Sequence, residues 1–282
     1  MIQIKRIEMQ QIDEPFGTYA LSSQQNRLLR LSQVMPVNWF GRRGALVLRR
    51  AVLSNRPLCI DATVEGLKLR LYMRDNVSER KFLFMPQFFD TQERALMRQR
   101  LRPGGVFVDV GANAGLYALT AALAVGETGR VLAIEPNPIV LNRLRFNSAL
   151  NGFDGRLITE EVGVSDEAGS FDLMLDRSNL GGSSLVLARS GDAIRIPCLP
   201  LLDIVQRHGL ARIDGLKIDI EGAEDKALIP FFRDAPSALH PGFLILENSS
   251  GNWAQDLLSA LHAAGYTHSG TTRMNLIWQK EE

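Results

Sequence analysis

No acidic residue occurs between Pro15 and Ile60, although that stretch carries Arg27, Arg30, Arg42, Arg43, Arg49, Arg50 and Arg56. The chain as a whole is close to neutral, with a formal net charge of +1, so its overall field gives no reason to expect a nucleic-acid partner. The two cysteines, Cys59 and Cys198, lie far apart without metal spacing, which excludes a zinc-finger pattern and a disulfide framework. No apolar run approaches the roughly 20 residues needed to cross a bilayer. The start Met-Ile-Gln-Ile-Lys-Arg lacks the apolar core of a secretory signal. A soluble, cytoplasmic protein is the expectation. Internal repeats and low-complexity tracts are missing too, and the four histidines show no ligand spacing. Ser183 and Ser184 lack the Gly-x-Ser-x-Gly context that acyl transfer would need.

What is present is enough for one large α/β unit and an appendage: 282 residues with 45% hydrophobic content. Composition changes near Asp61 and Arg102 divide the chain into three regions. Residues 1–60 read as a basic helical appendage, broken around Pro36 and Gly41. Residues 61–102 read as a β-rich lead-in with one strand over Val64 to Tyr72 and a helix over Thr91 to Arg100. Residues 103–282 then alternate strand and helix signals, which predicts a mostly parallel sheet flanked by helices. The Gly181-Gly182-Ser183-Ser184 stretch reads as a loop and a candidate lid, and Tyr266 to Trp278 as a closing hairpin turning near Gly270 and Thr271.

The strongest signal is Val106-Phe107-Val108-Asp109-Val110-Gly111-Ala112-Asn113-Ala114-Gly115. An apolar, β-branched run ends in an acid and passes through glycines into the helix Leu116 to Val125, which places a ligand crevice at the strand's carboxyl end. A dinucleotide fingerprint would need glycines where Asn113 and Leu116 stand. Asp109 would repel a diphosphate and attract a ligand carrying an ammonium and a sulfonium, which points to S-adenosylmethionine. A second run, Val131 to Ile134, ends in Glu135 about twenty residues beyond the glycines, where an acid takes ribose hydroxyls. Pro136 and Pro138 turn the chain away sharply.

Leu216 to Glu221 reads as a further strand, placing Lys217, Asp219 and Glu221 on one face. A mutually satisfied ion cluster would explain them. So would a reaction site, because Asp219, Glu221, Glu247 and Asn248 all fall at strand ends facing the same crevice. Two chemistries stay open: a carboxylate or Lys217 takes a proton from a hydroxyl, or Asp219, Glu247 and Asn248 bind a hard divalent cation such as Mg that acidifies it.

Three motifs together, Phe107 to Gly115, Ile134-Glu135-Pro136-Asn137 and Lys217-Ile218-Asp219-Ile220-Glu221-Gly222-Ala223-Glu224, resemble the FkbM-type methyltransferases over about Asp61 to Glu247. The resemblance implies a class I methyltransferase (Rossmann-like) fold, a seven-stranded sheet with its last strand antiparallel. It also implies O-methylation of a hydroxyl on a sugar, polyketide or similar metabolite. By resemblance, Asp109, Gly111, Asn113 and Gly115 surround the methionine part of the cofactor, Glu135 holds its ribose, Pro136 and Asn137 belong to the same cofactor site, and Val164 and Asp166 lie near the adenine. Asp219, Glu221 and Glu247 then line the acceptor side. The Arg-rich segment lies outside the resemblance and reads as a substrate cap, a homodimer contact, a hold on anionic lipid, or a solvated face. Two other functions compete: a nicotinamide-dependent oxidoreductase, and a non-catalytic module that engages a partner or membrane through that segment.

Overall fold

Ser22 and Asn38 each accept a backbone N–H three residues ahead, from Gln25 and Gly41, and so open the first two helices, α1 (Ser23–Gln33) and α2 (Trp39–Val52). The break between them falls at Pro36 as the sequence suggests, but α2 runs through Gly41. The computed structural model describes residues 11–55, 57–174, 180 and 193–281. The candidate lid at Gly181 to Ser184 lies outside the described residues, as does Arg56.

A hairpin follows, β1 (Cys59–Val64) and β2 (Leu67–Tyr72), where the sequence predicts a single strand from Val64. Glu65 and Gly66 both adopt positive φ and turn the chain back. Asp61 on β1 accepts two hydrogen bonds from buried Arg70 on β2 and two more from the Gly17 and Tyr19 backbone. Arg70 also donates to the carbonyls of Gln11, Glu14 and Pro15. Burying this pair is tolerable because every partner is in place, and the network fastens residues 11–20 to the hairpin.

Helices α3 (Val77–Phe84) and α4 (Thr91–Arg100) lead to the central unit: β3 (Val106–Val110), α5 (Leu116–Val125), β4 (Arg130–Ile134), α6 (Pro138–Leu150) and β5 (Leu157–Glu160). Three short strands, β6 (Gly163–Ser165), β7 (Gly169–Met174) and β8 (Ala193–Pro200), form their own sheet. The chain closes with α7 (Leu201–Arg207), β9 (Gly215–Ile218), α8 (Glu224–Asp234), β10 (Phe243–Glu247), α9 (Leu257–Ala263), β11 (Tyr266–Thr271) and β12 (Asn275–Lys280). The final hairpin therefore turns at Thr272 to Met274, later than Gly270, which sits instead at an irregularity in the pairing.

The main sheet has seven strands in the order β11-β12-β10-β9-β3-β4-β5. Strands β10, β9, β3, β4 and β5 pair in parallel, and β12 runs antiparallel to both of its neighbours. This is the Rossmann-like sheet with an antiparallel last strand. Its central strands β3 and β9 are apolar apart from Asp109 on β3 and Lys217 on β9, because they are buried on both faces. Phe107, Val131, Ala133 and Ile245 pack on one side with α5 and α6, and that core continues to Leu29, Ala45 and Val52 of α1 and α2. Val108, Val110, Leu132, Leu216 and Leu244 pack on the other with α7, α8 and α9. Each such side chain contributes on the order of 1.5–3 kcal/mol by leaving water.

Candidate functional site

The carboxyl ends of β3, β4, β9 and β10 open on one cavity of about 420 Å³. Its floor is the turn after β3. Gly111 and Ala112 donate to the Ile134 carbonyl, tying that turn to the end of β4. Gly111 has φ +73°, and a Cβ on it would lie 1.9 Å from the Asp219 carbonyl oxygen. Only glycine fits. Asn113 also holds a left-handed conformation, φ +52°, which asparagine tolerates better than most residues. Gly115 makes no part of the lining. It is needed because a Cβ there would meet Leu144 at 2.1 Å.

Glu135 lines the cavity and is 8% exposed. One of its oxygens accepts from the Asn113 N–H at 2.7 Å and the other from the Asn137 N–H at 2.8 Å. Burial pushes its carboxyl up to about 7, and the two backbone donors resist that rise. Each oxygen retains further acceptor capacity, the property a vicinal diol would use. Pro136, Val162 and Val164 continue this wall. Asn137 does not belong to it: fully buried, it caps α6 by accepting from the Ile139 N–H. Asp166 is exposed, accepts from the Ser165 hydroxyl, and also lies outside the lining.

Asp109 departs from the expectation that it faces the ligand. It is completely buried beneath the floor and is not among the lining residues. Neither carboxylate oxygen meets a hydrogen-bond partner among the described residues. Its nearest cation is the Lys217 ammonium, 3.8 Å away. Burial lifts this carboxyl to about 6 against the pull of Lys217.

Lys217 does reach the cavity. Its Nζ lies 3.2 Å from Asp219 and 5.1 Å above the Tyr117 ring. Burial disfavours its charge, but Asp219 and Asp109 outweigh that and hold it at about 12. Beside Asp219 and Asp109 the ammonium form is favoured, and an ammonium has no lone pair to take a proton. Strand β9 ends at Ile218, so Asp219 and Glu221 occupy a turn and not the regular alternation expected up to Glu221. The turn still gathers the acids: Asp219, Glu221 and Glu247 each place a carboxylate oxygen within 4.8 Å of the others. Asn248 is absent from the cavity lining. Its side chain accepts from the Ser250 hydroxyl and its N–H donates to the Met274 carbonyl. Burial and the charges of Asp219 and Glu221 raise Glu247 to about 8, and its Oε2 is buried without a hydrogen-bond partner among the described residues.

Glu224 gives the turn its shape. It is fully buried, accepts from the Ile220 and Gly222 N–H groups, and accepts from the Trp253 indole at 2.7 Å. The sequence contains it within the third motif but gives no sign of this work. The opposite wall went unread as well. Asn76 donates to the Asn113 side chain at 2.7 Å while its own oxygen caps α3. Tyr117 donates to Asp90, which also pairs with Lys81. Glu93 accepts from Thr272 and Asn275, and this fixes the Arg273 to Asn275 turn against the cavity. An Asn that caps a helix is visible in sequence; its second, distant partner is not.

The donor set suits a cationic, ribose-bearing ligand. Glu135, Asp219, Glu221 and Glu247 line the cavity with the glycine floor, the Lys217 ammonium is paired with Asp219 and with Asp109 beneath the floor, and the other cations of the lining are Arg42, Lys81 and Arg273. A diphosphate would meet those acids unfavourably.

Residues 109–267 match the model of the methyltransferase FkbM domain. The chain is 32% identical over 186 residues to a 31-O-demethyl-FK506 methyltransferase from Streptomyces tacrolimicus, covering 54% of this chain and 69% of that one. It is 30% identical over 151 residues to a methyltransferase from Sordaria araneosa, covering 43% and 58%. A crystal structure of a methyltransferase FkbM from Methylobacillus flagellatus aligns over 85% of this chain and 60% of that one, with 19% identity and a TM-score of 0.41.

Proposed function

We infer the reaction from one premise: this chain belongs to the FkbM methyltransferase family. It is an S-adenosylmethionine-dependent methyltransferase, and the reading that fits its cavity is O-methylation of a hydroxyl on a sugar, polyketide or similar small metabolite. The observation that carries this reading is the placement of Glu135 and of the buried, unpartnered Glu247 oxygen in the same cavity. The name of the Streptomyces tacrolimicus relative, a 31-O-demethyl-FK506 methyltransferase, supports a hydroxyl acceptor.

S-adenosylmethionine supplies, when bound, a methyl group made electrophilic by its sulfonium. Gly111, Asn113 and Glu135 would hold it, with Pro136 and Val164 as apolar walls. Asp109 acts at one remove by orienting Lys217 from below. Glu247 accepts the hydroxyl proton at Oε2: a base is most effective when its pKa lies near the working pH, and the neighbouring acids place Glu247 there. Asp219 and Glu221 keep that carboxyl raised and offer acceptors to the substrate. A divalent cation such as Mg on Asp219, Glu221 and Glu247 is the competing use of these groups. Lys217 already sits 3.2 Å from Asp219 and would repel it, so the proton-acceptor reading is preferred. We assign the cofactor to residues 103–282, and the acceptor side to Asp219, Glu221 and Glu247 with Arg42 and the Arg273 to Asn275 turn beside them.

Isothermal calorimetry with S-adenosylhomocysteine tests the cofactor half: Glu135→Ala should weaken binding while the chain stays folded by circular dichroism, and unchanged affinity would remove Glu135 from the ribose. Transfer of labelled methyl to a metabolite extract, run with and without EDTA, tests the other half. Turnover that survives EDTA excludes the metal, and turnover lost in EDTA and restored by Mg would replace the proton-acceptor reading.

A further inference from the structure

Among the described residues, the large hydrophobic side chains left in water are concentrated in one place. Leu31, Val34, Val37, Trp39, Phe40 and Val47 all lie on α1, α2 or the connection between them, with Val34 75% and Phe40 76% exposed. A cluster of this kind marks an interaction surface more often than chance. Its chemistry is specific. Trp39 and Phe40 stack edge-on at 4.8 Å, and the Arg43 guanidinium sits 4.3 Å above the Trp39 ring. Arg27, Arg30, Arg42, Arg43 and Arg50 are exposed around them, and no acid interrupts the segment. Aromatic and aliphatic side chains flanked by arginines are what a bilayer interface with anionic headgroups receives. A second copy of the chain would instead bring two acid-free, arginine-rich faces together, which like charges oppose.

The surface also adjoins the cavity. Arg42 from α2 is a lining residue, and it shares the exposed part of the lining with Val77, Arg273 and Met274; Val77 is 47% and Met274 53% exposed. The rim therefore carries the same mixture of arginine and bare hydrocarbon as the patch. We propose that the α1–α2 tip docks on an anionic lipid bilayer, setting the cavity rim against the headgroups. The acceptor hydroxyl is then carried by a membrane-borne amphiphile, a consequence that rests on the methyltransferase reading; the docking itself does not.

The test uses the full chain and vesicles of phosphatidylcholine with or without a phosphatidylglycerol fraction. Flotation should carry the protein with the anionic vesicles, less so as salt rises, and leave it behind with phosphatidylcholine alone. The double variant Trp39→Ser, Phe40→Ser should bind the anionic vesicles about tenfold or more weakly, while its calorimetric affinity for S-adenosylhomocysteine is unchanged. Brominated lipid should quench wild-type tryptophan fluorescence, and Trp39→Phe should remove most of that quenching. This readout needs no destabilised variant. Absence of flotation, or flotation unaffected by the double variant, overturns the proposal. A dimer in solution that the double variant dissociates would assign the face to a second copy. Loss of S-adenosylhomocysteine binding by the wild type alongside intact flotation would defeat the transferase reading and leave the docking standing.

Discussion

The two walls of the cavity are built in opposite ways. The wall to which we assign the cofactor comes from two strand–turn units within residues 106–137 and is held by backbone hydrogen bonds, as between Gly111 and Ile134. The facing wall is assembled from α2, from Asn76 to Asp90, from the turn after β9 and from the last hairpin, joined by side chains such as Asn76 and Glu93. The first is dictated by steric and backbone demands that few sequences meet. The second depends on where distant segments happen to pack, and so has room to vary with the acceptor.

The sharpest way to break the contrast is Gly111→Ala. The added Cβ cannot coexist with the Asp219 carbonyl, so S-adenosylhomocysteine binding should vanish by calorimetry, with stability falling by about 3 kcal/mol or more in urea. Retained binding would show that the floor yields. Next, Glu247→Gln should lower kcat by roughly 10²–10⁴-fold with cofactor affinity intact, and should abolish the rise of rate with pH expected of the wild type as pH approaches about 8. The stability sign runs the other way. Glu247 is raised from 4.5 to about 8, so the folded chain binds the proton more tightly and loses stability as pH climbs across that window. The Gln variant should show a flatter slope in thermal melts over the same range. Glu224→Ala should cost about 3 kcal/mol, since it strands the donors of Ile220, Gly222 and Trp253, and should reduce kcat more than cofactor affinity. If cofactor affinity falls equally, the two walls are not separable. The smallest effect belongs to Asn76→Ala, which removes a helix cap and the Asn113 contact together. About 1 kcal/mol of stability is expected, with KM for the cofactor rising a few-fold in steady-state assays.

What the sequence made legible follows the same division. The strand at Val106 and the helices from Leu116 and Thr91 begin where apolar runs and their flanking breakers place them. The glycine turn and Glu135 were readable because spacing along the chain sets their geometry. Asp109 was misplaced because a strand-end acid looks alike whether it projects into a crevice or under it; the buried Lys217 ammonium beside it decides the matter. Asn248 was read as a ligand because it follows Glu247 at the end of a strand; it lies outside the cavity lining, whereas Glu221 reaches Asp219 and Glu247 from a left-handed turn beyond Ile218. The roles of Asn137 and Glu224 are satisfied donors and acceptors, and such bonds leave no periodic trace.

The bonds from Thr272 and Asn275 to Glu93 bear on the order in which a nascent chain acquires competence. Every element of the cofactor wall has been synthesised by the time Glu247 emerges. Arg273 to Asn275 come off the ribosome after it, and Glu93 waits until then for its partners. The final hairpin is thus the last part of the chain to be made and the last to reach the cavity, and it completes a wall whose other members precede it.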